Sequence, residues 1–408
     1  MRIIYLHQYF KKPNENGGTR SYDLASSFVK LGHTVEMVTT TSRSPENKRN
    51  KWSIESVDGI TVHYLYLPYD NSYSFLKRAW VFIQFIYFST SKLLKIKGDV
   101  LLATSTPLTI SIPDIIKKIF HRTPYIFEVR DIWPEAVSAI GAINSKLILK
   151  LLSKLEFYSY KLSDWIVPLS VDMRKSIVER YPEFESKIKH VIENIAEVNR
   201  FGQPVLDNYK LEKSLDKIIG FTPKISVLYA GTFGRVNNIE YVIRLASKVY
   251  EKDTSIIFLL LGDGSEKDHL IGLAKSLGIY KKNLFFLAPV SKRELPLIYS
   301  QVTVGSSFVA SIKELWANSA NKFFDTLAAG CPIIINHYGW QAQKIIENEI
   351  GYVLNPNLEE VNLEEFIKYL KNRQFLLESG IRSRKVATEN YSLDEAVRKY
   401  NEILSSVS

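Results

Sequence analysis

RIIYLHQYFKKPNENGGTRSYDLASSFVKLGHTVEMVTT, residues 2–40, lays out the first structural unit of the chain. Arg2–Leu6 is a short apolar run, Ser21–Leu31 spaces its apolar residues for a helix, and Thr34–Thr39 reads as a second strand. Strand, helix and strand in that order make a βαβ unit with a parallel sheet. Gly17 and Gly18 fall in the turn at the carboxyl end of the first strand, where such sheets bind ligands.

The alternation continues through strand candidates at Val62–Tyr66, Val100–Ala103, Tyr125–Val129 and Trp165–Pro168. It begins afresh with Ile225–Ala230, Ser255–Leu261, Asn283–Leu287, Val302–Phe308, Pro332–Asn336 and Gly351–Leu354, with helices such as Asn238–Lys252 and Lys267–Leu277 between them. The fold expected is α/β: two tandem Rossmann-like, doubly wound domains, 1–200 and 201–389, joined near Asn199–Lys224, with the ligand in an inter-domain cleft. The last helix, Leu393–Leu404, turns Ala396, Val397, Tyr400 and Ile403 to one side and must pack on a domain; periodicity does not say which, and a return of residues 390–408 to the first is one option.

At 408 residues, with 46% apolar and 24% charged side chains, the chain is globular and long enough for two cores. A single cysteine, Cys331, excludes a disulfide framework and points to a reducing compartment. The opening MRIIYLHQYFKKP has too short an apolar core for a signal peptide, so the chain is expected to start here and stay in the cytoplasm. No apolar run reaches the ~18–20 residues that span a bilayer. The net charge of +10 asks for an anionic partner: a phosphorylated substrate, acidic lipid or nucleic acid. Without a nucleic-acid motif, a zinc pattern or a basic tail, nucleic acid is set aside.

One segment, Ser72–Asp99, crowds aromatic residues among lysines: Trp80, Phe82, Phe85 and Ile86 stand beside Lys95. Such a helix either lies in a membrane interface or is a core helix whose lysines reach past it to water.

Several stretches have the makings of an anion site. Gly17-Gly18 before a helix and Gly231, Gly234 and Arg235 before another leave backbone N–H groups open at the positive end of a helix dipole. Leu261-Gly-Asp-Gly-Ser265 is a third tight turn, which structure alone also explains. In NSANKFFDTLAAGCPIIIN, residues 318–336, Asn318 or Ser319 can cap a short helix that Gly330 and Pro332 end. Lys322 in its first turn opposes the dipole, and Asp325 shares its face. They read as a surface ion pair, or as a diphosphate ligand beside a ribose acceptor. Arg130, Asp131 and Glu135 cluster after the Tyr125–Val129 strand, where they serve either acceptor chemistry or a loop-capping network with Trp133.

With these pieces in order the sequence resembles glycosyltransferase family 4, of the two-domain GT-B type, and within it the bacterial enzymes of O-antigen and capsule synthesis. The motifs that carry the resemblance are HQYFKKPNENGGTRSYDLA, EVRDIWPE, KLSDWIVPLS, YAGTFGR, LLGDGS, LPLIYSQVTVG and NKFFDTLAAGCPIIIN followed by HYGWQ. The resemblance implies retaining transfer from a nucleotide sugar, UDP-linked, to a lipid-linked acceptor such as a polyprenyl-diphosphate saccharide, with the protein peripheral on the membrane. It implies no metal in the cleft and no cofactor. It places Gly17, Gly18, Gly231, Pro289 and Asn321 at the donor, Arg235 and Lys322 on its diphosphate, and Asp325 where the family has a ribose-binding glutamate. The Ala288–Val290 turn would face the base. Arg20, Arg130, Asp131 and Glu135 are left for the acceptor, with Asp131 as a base. Two departures stand out: Ala317 replaces a family glutamate, leaving sugar recognition to other residues near Trp340, and Arg130 stands where many relatives have histidine. A nucleotide-sugar hydrolase or epimerase, or a non-catalytic binding subunit, are the rival readings.

Overall fold

A computed structural model describes residues 1–44, 51–68, 73, 75–105, 107–202 and 215–407. The chain divides into two compact units: residues 1–12, 19–193 and 394–408 form the first, and residues 13–18 and 194–393 the second. Of the junction expected at Asn199–Lys224, positions 203–214 lie outside the described residues.

The first unit is built on β1 (Arg2–Leu6), β2 (Thr34–Thr41), β3 (Trp52–Val57), β4 (Ile60–Tyr66), β5 (Val100–Thr104), β6 (Tyr125–Val129) and β7 (Trp165–Pro168). They form a seven-stranded sheet in the order β3-β4-β2-β1-β5-β6-β7, parallel except for β3, which pairs antiparallel with β4 at the edge. β1, β5 and β6 are buried on both faces apart from Arg2, as expected of the centre of a parallel sheet. The connection from β1 to β2 steps one way across the sheet, whereas those from β4 to β5, β5 to β6 and β6 to β7 step the other. Right-handed crossovers therefore put the Arg20–Lys30 helix on one face and the Phe75–Leu93, Ser111–His121 and Lys146–Leu162 helices on the opposite one.

The Leu393–Leu404 helix contributes residues 394–404 to this unit. Tyr400 is fully buried there, edge-on to Phe28 with ring centroids 5.9 Å apart. Within the Phe75–Leu93 helix, Val81, Phe85 and Leu93 face the core while Trp80 and Tyr87 face solvent. Phe85, expected as a membrane contact, is 1% exposed and belongs to the core; a four-residue step places it on the Val81 face. Phe82 and Ile86 are half-buried, and Lys95 is exposed just beyond the helix.

The second unit carries β8 (Ile225–Ala230), β9 (Ile256–Leu261), β10 (Leu284–Leu287), β11 (Val304–Ser307), β12 (Ile333–Ile335) and β13 (Gly351–Val353). Its six-stranded sheet runs β10-β9-β8-β11-β12-β13 and is parallel throughout. The order reverses between β8 and β11, so the loops after these strands diverge and leave a crevice at their carboxyl ends. Among the described residues no helix is long and apolar enough to cross a membrane.

Candidate functional site

The crevice of the second unit is a pocket of ≈ 460 Å³. Four strand-end segments line it: Ala230–Thr232 after β8, Leu261–Asp263 after β9, Pro289, Val290 and Lys292 after β10, and Asn321, Lys322 and Asp325 after β11. Asn16, Gly17 and Gly18, which belong to this unit, complete the wall with Asn237 and Leu295. The volume suits a drug-sized polar ligand.

Glycine permits two close approaches in this wall. The β8 and β9 turns lie backbone against backbone, Gly231 N–H donating to Leu261 O at 2.9 Å and Phe233 N–H to Asp263 O at 2.8 Å. Gly262 has φ +152°, and a Cβ there would sit 1.9 Å from the Gly231 carbonyl oxygen. The turn that structure alone would explain is therefore both structural and part of the wall. A Cβ on Gly18 would lie 2.4 Å from the Asn321 amide nitrogen.

Lys322 opens the Asn321–Ala328 helix. The helix is capped at Ala320 with no side-chain cap bond, not by Asn318 or Ser319 as the sequence suggests. Both side chains are drawn elsewhere: Asn318 Oδ1 accepts from Ala320 N–H at 3.2 Å, and Ser319 Oγ accepts from Asn194 N–H at 3.0 Å. Lys322 Nζ donates to Asn237 Oδ1 at 2.8 Å and stands 5.2 Å above the Tyr229 ring. Neither neighbour carries a compensating negative charge, and desolvation lowers the ammonium to about 8. Among the described residues no carboxylate pairs with this half-buried cation, which suits it to an anionic ligand.

Asp325, one turn further along, does not pair with Lys322. Lys292 Nζ donates to its Oδ1, and both side chains are buried in the wall. Burial pushes the Asp325 carboxyl up, and the Lys292 ammonium pulls back part of that rise. The pair fixes the carboxylate while its second oxygen remains an acceptor for hydroxyl groups. Lys292 was missed in the sequence, although it stands two residues beyond the Ala288–Val290 turn picked out there. Its reach to a helix residue 33 positions later had no local signal.

The pocket thus brings together Gly17, Gly18, Gly231, Pro289, Asn321, Lys322 and Asp325. Arg235 is not in its wall: the side chain is 89% exposed and lies 3.8 Å from Glu266. Trp340 does not line it either, being packed on Phe323 and Phe324 with its Nε1–H donating to Asn318 O at 3.0 Å.

In the first unit two residues assigned to an acceptor hold the structure together instead. Arg20 is 3% exposed, its guanidinium bound to Glu128 Oε2 at 2.9 and 3.0 Å, to Ile192 O at 2.9 Å and to Glu193 O. Glu135 pairs with Arg180 at 2.9 Å, and that arginine also holds the buried Glu156 at 2.6 Å and caps the Trp133 carbonyl at 3.2 Å. For Glu135 the loop-capping reading is the observed one. Arg130 is half-buried with its N–H on Ser105 Oγ at 2.8 Å, and Asp131 is exposed. Among the described residues no group of three His, Cys, Asp or Glu side chains could hold a metal ion.

Comparison with known proteins relates the chain to glycosyltransferases. Residues 212–390, most of the second unit, match the family model described as Glycosyl transferases group 1. An uncharacterized glycosyltransferase of Methanocaldococcus jannaschii is 26% identical over 254 residues, 60% of this chain and 58% of that one. The chain matches about three fifths of the length of its curated relatives. Among solved structures, the sucrose-phosphate synthase of Thermosynechococcus elongatus superposes with a TM-score of 0.77 at 14% identity, over 100% of this chain and 98% of its own. HepE of Anabaena, in complex with UDP and glucose, does so with a TM-score of 0.72 at 14% identity over the whole of both chains. The fold is that of GT-B glycosyltransferases, two α/β domains with parallel sheets.

Proposed function

We propose that the protein transfers a sugar, with retention of configuration, from a UDP-linked donor to a lipid-linked saccharide in the assembly of a bacterial surface polysaccharide. The observation that carries the reading is the unpaired Lys322 ammonium beside the Lys292–Asp325 pair in a pocket walled by open glycine turns. Lys322 and the first turn of its helix would take the diphosphate, whose charge grows as the sugar departs. Asp325, held by Lys292, would accept the ribose hydroxyls. The Pro289–Val290 turn, with Leu261 and Leu295 beside it, offers an apolar bed for the base. HepE, whose structure holds UDP and glucose, supports the donor class.

In this scheme the leaving phosphate takes the acceptor proton, so no protein base is required, and neither a metal nor a cofactor enters the reaction. Arg130 and Asp131 remain the acceptor-side residues of the proposal, while Arg20 and Glu135 leave it. Transfer from a panel of UDP-hexoses, with the anomeric configuration of the product read by NMR, tests the mechanism. Retention is expected; inversion would refute it.

A pH dependence follows from Lys322. Its ammonium is lowered to about 8 in the free protein, so it is charged below that pH and lost above it. The terminal phosphate of UDP, with a second pKa near ~6, is already doubly charged there. UDP affinity should therefore be near its full value at neutrality, decline as the pH approaches 8 and keep falling above it. A titration series that stays flat through this range would contradict the diphosphate role.

A further inference from the structure

The Phe75–Leu93, Ser111–His121 and Lys146–Leu162 helices share one face of the first unit's sheet. Lys117 Nζ on the middle helix donates to Ile96 O at 2.7 Å, and Ser159 Oγ on the third donates to Ser111 Oγ at 2.7 Å, so the three are neighbours. Their outer surface departs from an ordinary solvated one in two ways.

First, large apolar side chains stand in helical register on the outside. Trp80, Ile83 and Tyr87 follow one another along the first helix, and Leu147, Leu151 and Tyr158 along the third, all at least half exposed. Leu147 reaches 69% and Leu151 58%. A core element would not leave these residues to water.

Second, the charge is of one sign. The three helices contain two carboxylates, Asp114 and Glu156, and both are fully buried. Lys146, Lys150 and Lys154 form an exposed stripe at four-residue spacing beside the leucines, and Lys95 lies exposed beyond the first helix. None of these lysines makes an ion pair among the described residues. Each outer helix leaves the carboxyl end of the sheet to return to its opposite end, so Trp80, Leu147 and Leu151 lie toward the end at which α/β sheets take their substrates.

Apolar and aromatic residues beside unpaired lysines fit the headgroup boundary of a bilayer, where the ring or leucine enters and the ammonium meets phosphate. A second copy fits poorly, since apposed copies would set one lysine stripe against another. We propose that this three-helix face docks on an anionic phospholipid bilayer, with Trp80, Leu147 and Leu151 entering the interface and Lys146, Lys150 and Lys154 on the headgroups. The inference deepens the lipid-linked acceptor of the preceding reading and rests on it for its purpose, while its observations come from the first unit alone.

Co-sedimentation of the full chain with phosphatidylcholine vesicles, with and without phosphatidylglycerol, tests it. Binding is expected only with phosphatidylglycerol and should weaken with added salt. Each lysine at an anionic leaflet contributes a factor of ~5, so Lys150→Glu with Lys154→Glu should lower partitioning ~30-fold or more. Leu147→Ser with Leu151→Ser should also lower it, and both variants should bind UDP as the parent does. Absence of binding to either vesicle, or equal binding by the lysine variant, overturns the proposal. So does a concentration-dependent dimer that Leu147→Ser with Leu151→Ser abolishes in a protein that binds no vesicle. Where vesicles fail but UDP binds, the docking face alone is wrong; where UDP fails but vesicles bind, the donor site is.

Discussion

Lys322→Ala is expected to lower UDP affinity ~10–100-fold and turnover ~10²–10³-fold, with little change in melting temperature. The first figure is the value of a charge-assisted hydrogen bond to phosphate, ~1.5–3 kcal/mol. The second is larger because the diphosphate gains charge as the sugar leaves, and a fixed donor in a desolvated wall counts for more at that moment. Stability should hardly suffer, since the ammonium is desolvated and its hydrogen-bond partner Asn237 is neutral. That separation is diagnostic. A structural lysine would show the opposite pattern, with lost stability and unchanged UDP binding.

Arg20→Met should destabilise the first unit by about 3–5 kcal/mol, the usual cost of leaving one member of a buried ion pair alone. Glu128 is the residue abandoned. Its carboxylate accepts from Arg20, from Thr104 Oγ1 at 2.6 Å and from the Tyr400 hydroxyl, so one buried charge ties β5, β6, the first helix and the last. Leaving that charge unpaired should loosen the C-terminal helix before the sheet. Arg20→Met combined with Glu128→Leu should recover much of the loss, because an apolar pair of similar volume leaves no charge behind. Urea unfolding followed by hydrogen exchange of the Leu393–Leu404 helix measures both effects; a loss of less than about 1 kcal/mol in the single variant would show the pair to be dispensable.

The same cluster sets an acid limit. Burial would raise the Glu128 carboxyl, but Arg20 and Arg130 outweigh it and hold it at about 2. Burial, with Arg130 beside it, pushes the His7 imidazole down to about 3. Both groups bind protons more readily when unfolded, so stability is full above neutrality. It is lost as the pH falls, first below the ordinary histidine range and then toward 2.

Much of this architecture was legible in residues 2–40 and in the strands after Ile225, because buried parallel strands are unbroken apolar runs. The antiparallel edge strand β3 was not. Its sequence, WSIESV, is half polar and none of its residues is buried, so no continuous apolar run announces it. The glycine turns and Lys322 were legible because a cation in the first turn of a helix and paired glycines need a local reason. Lys292 and Asn237 were not, since their meaning lies in distant partners. Arg20 misled for the opposite reason: next to Gly17-Gly18 it reads as a ligand residue, yet Glu128, 108 positions away, claims it. In the Ser72–Asp99 segment composition marked an amphipathic helix, but only packing separates Phe85 from Trp80.

Binding of a nucleoside diphosphate in the second unit's pocket can be read by hydrogen exchange with and without UDP. Added protection is expected in the Gly17–Gly18, Gly231–Thr232, Gly262–Asp263 and Asn321–Asp325 segments, and its loss from them in Lys322→Ala. Protection elsewhere, or unchanged exchange in all four segments at saturating UDP, would contradict it.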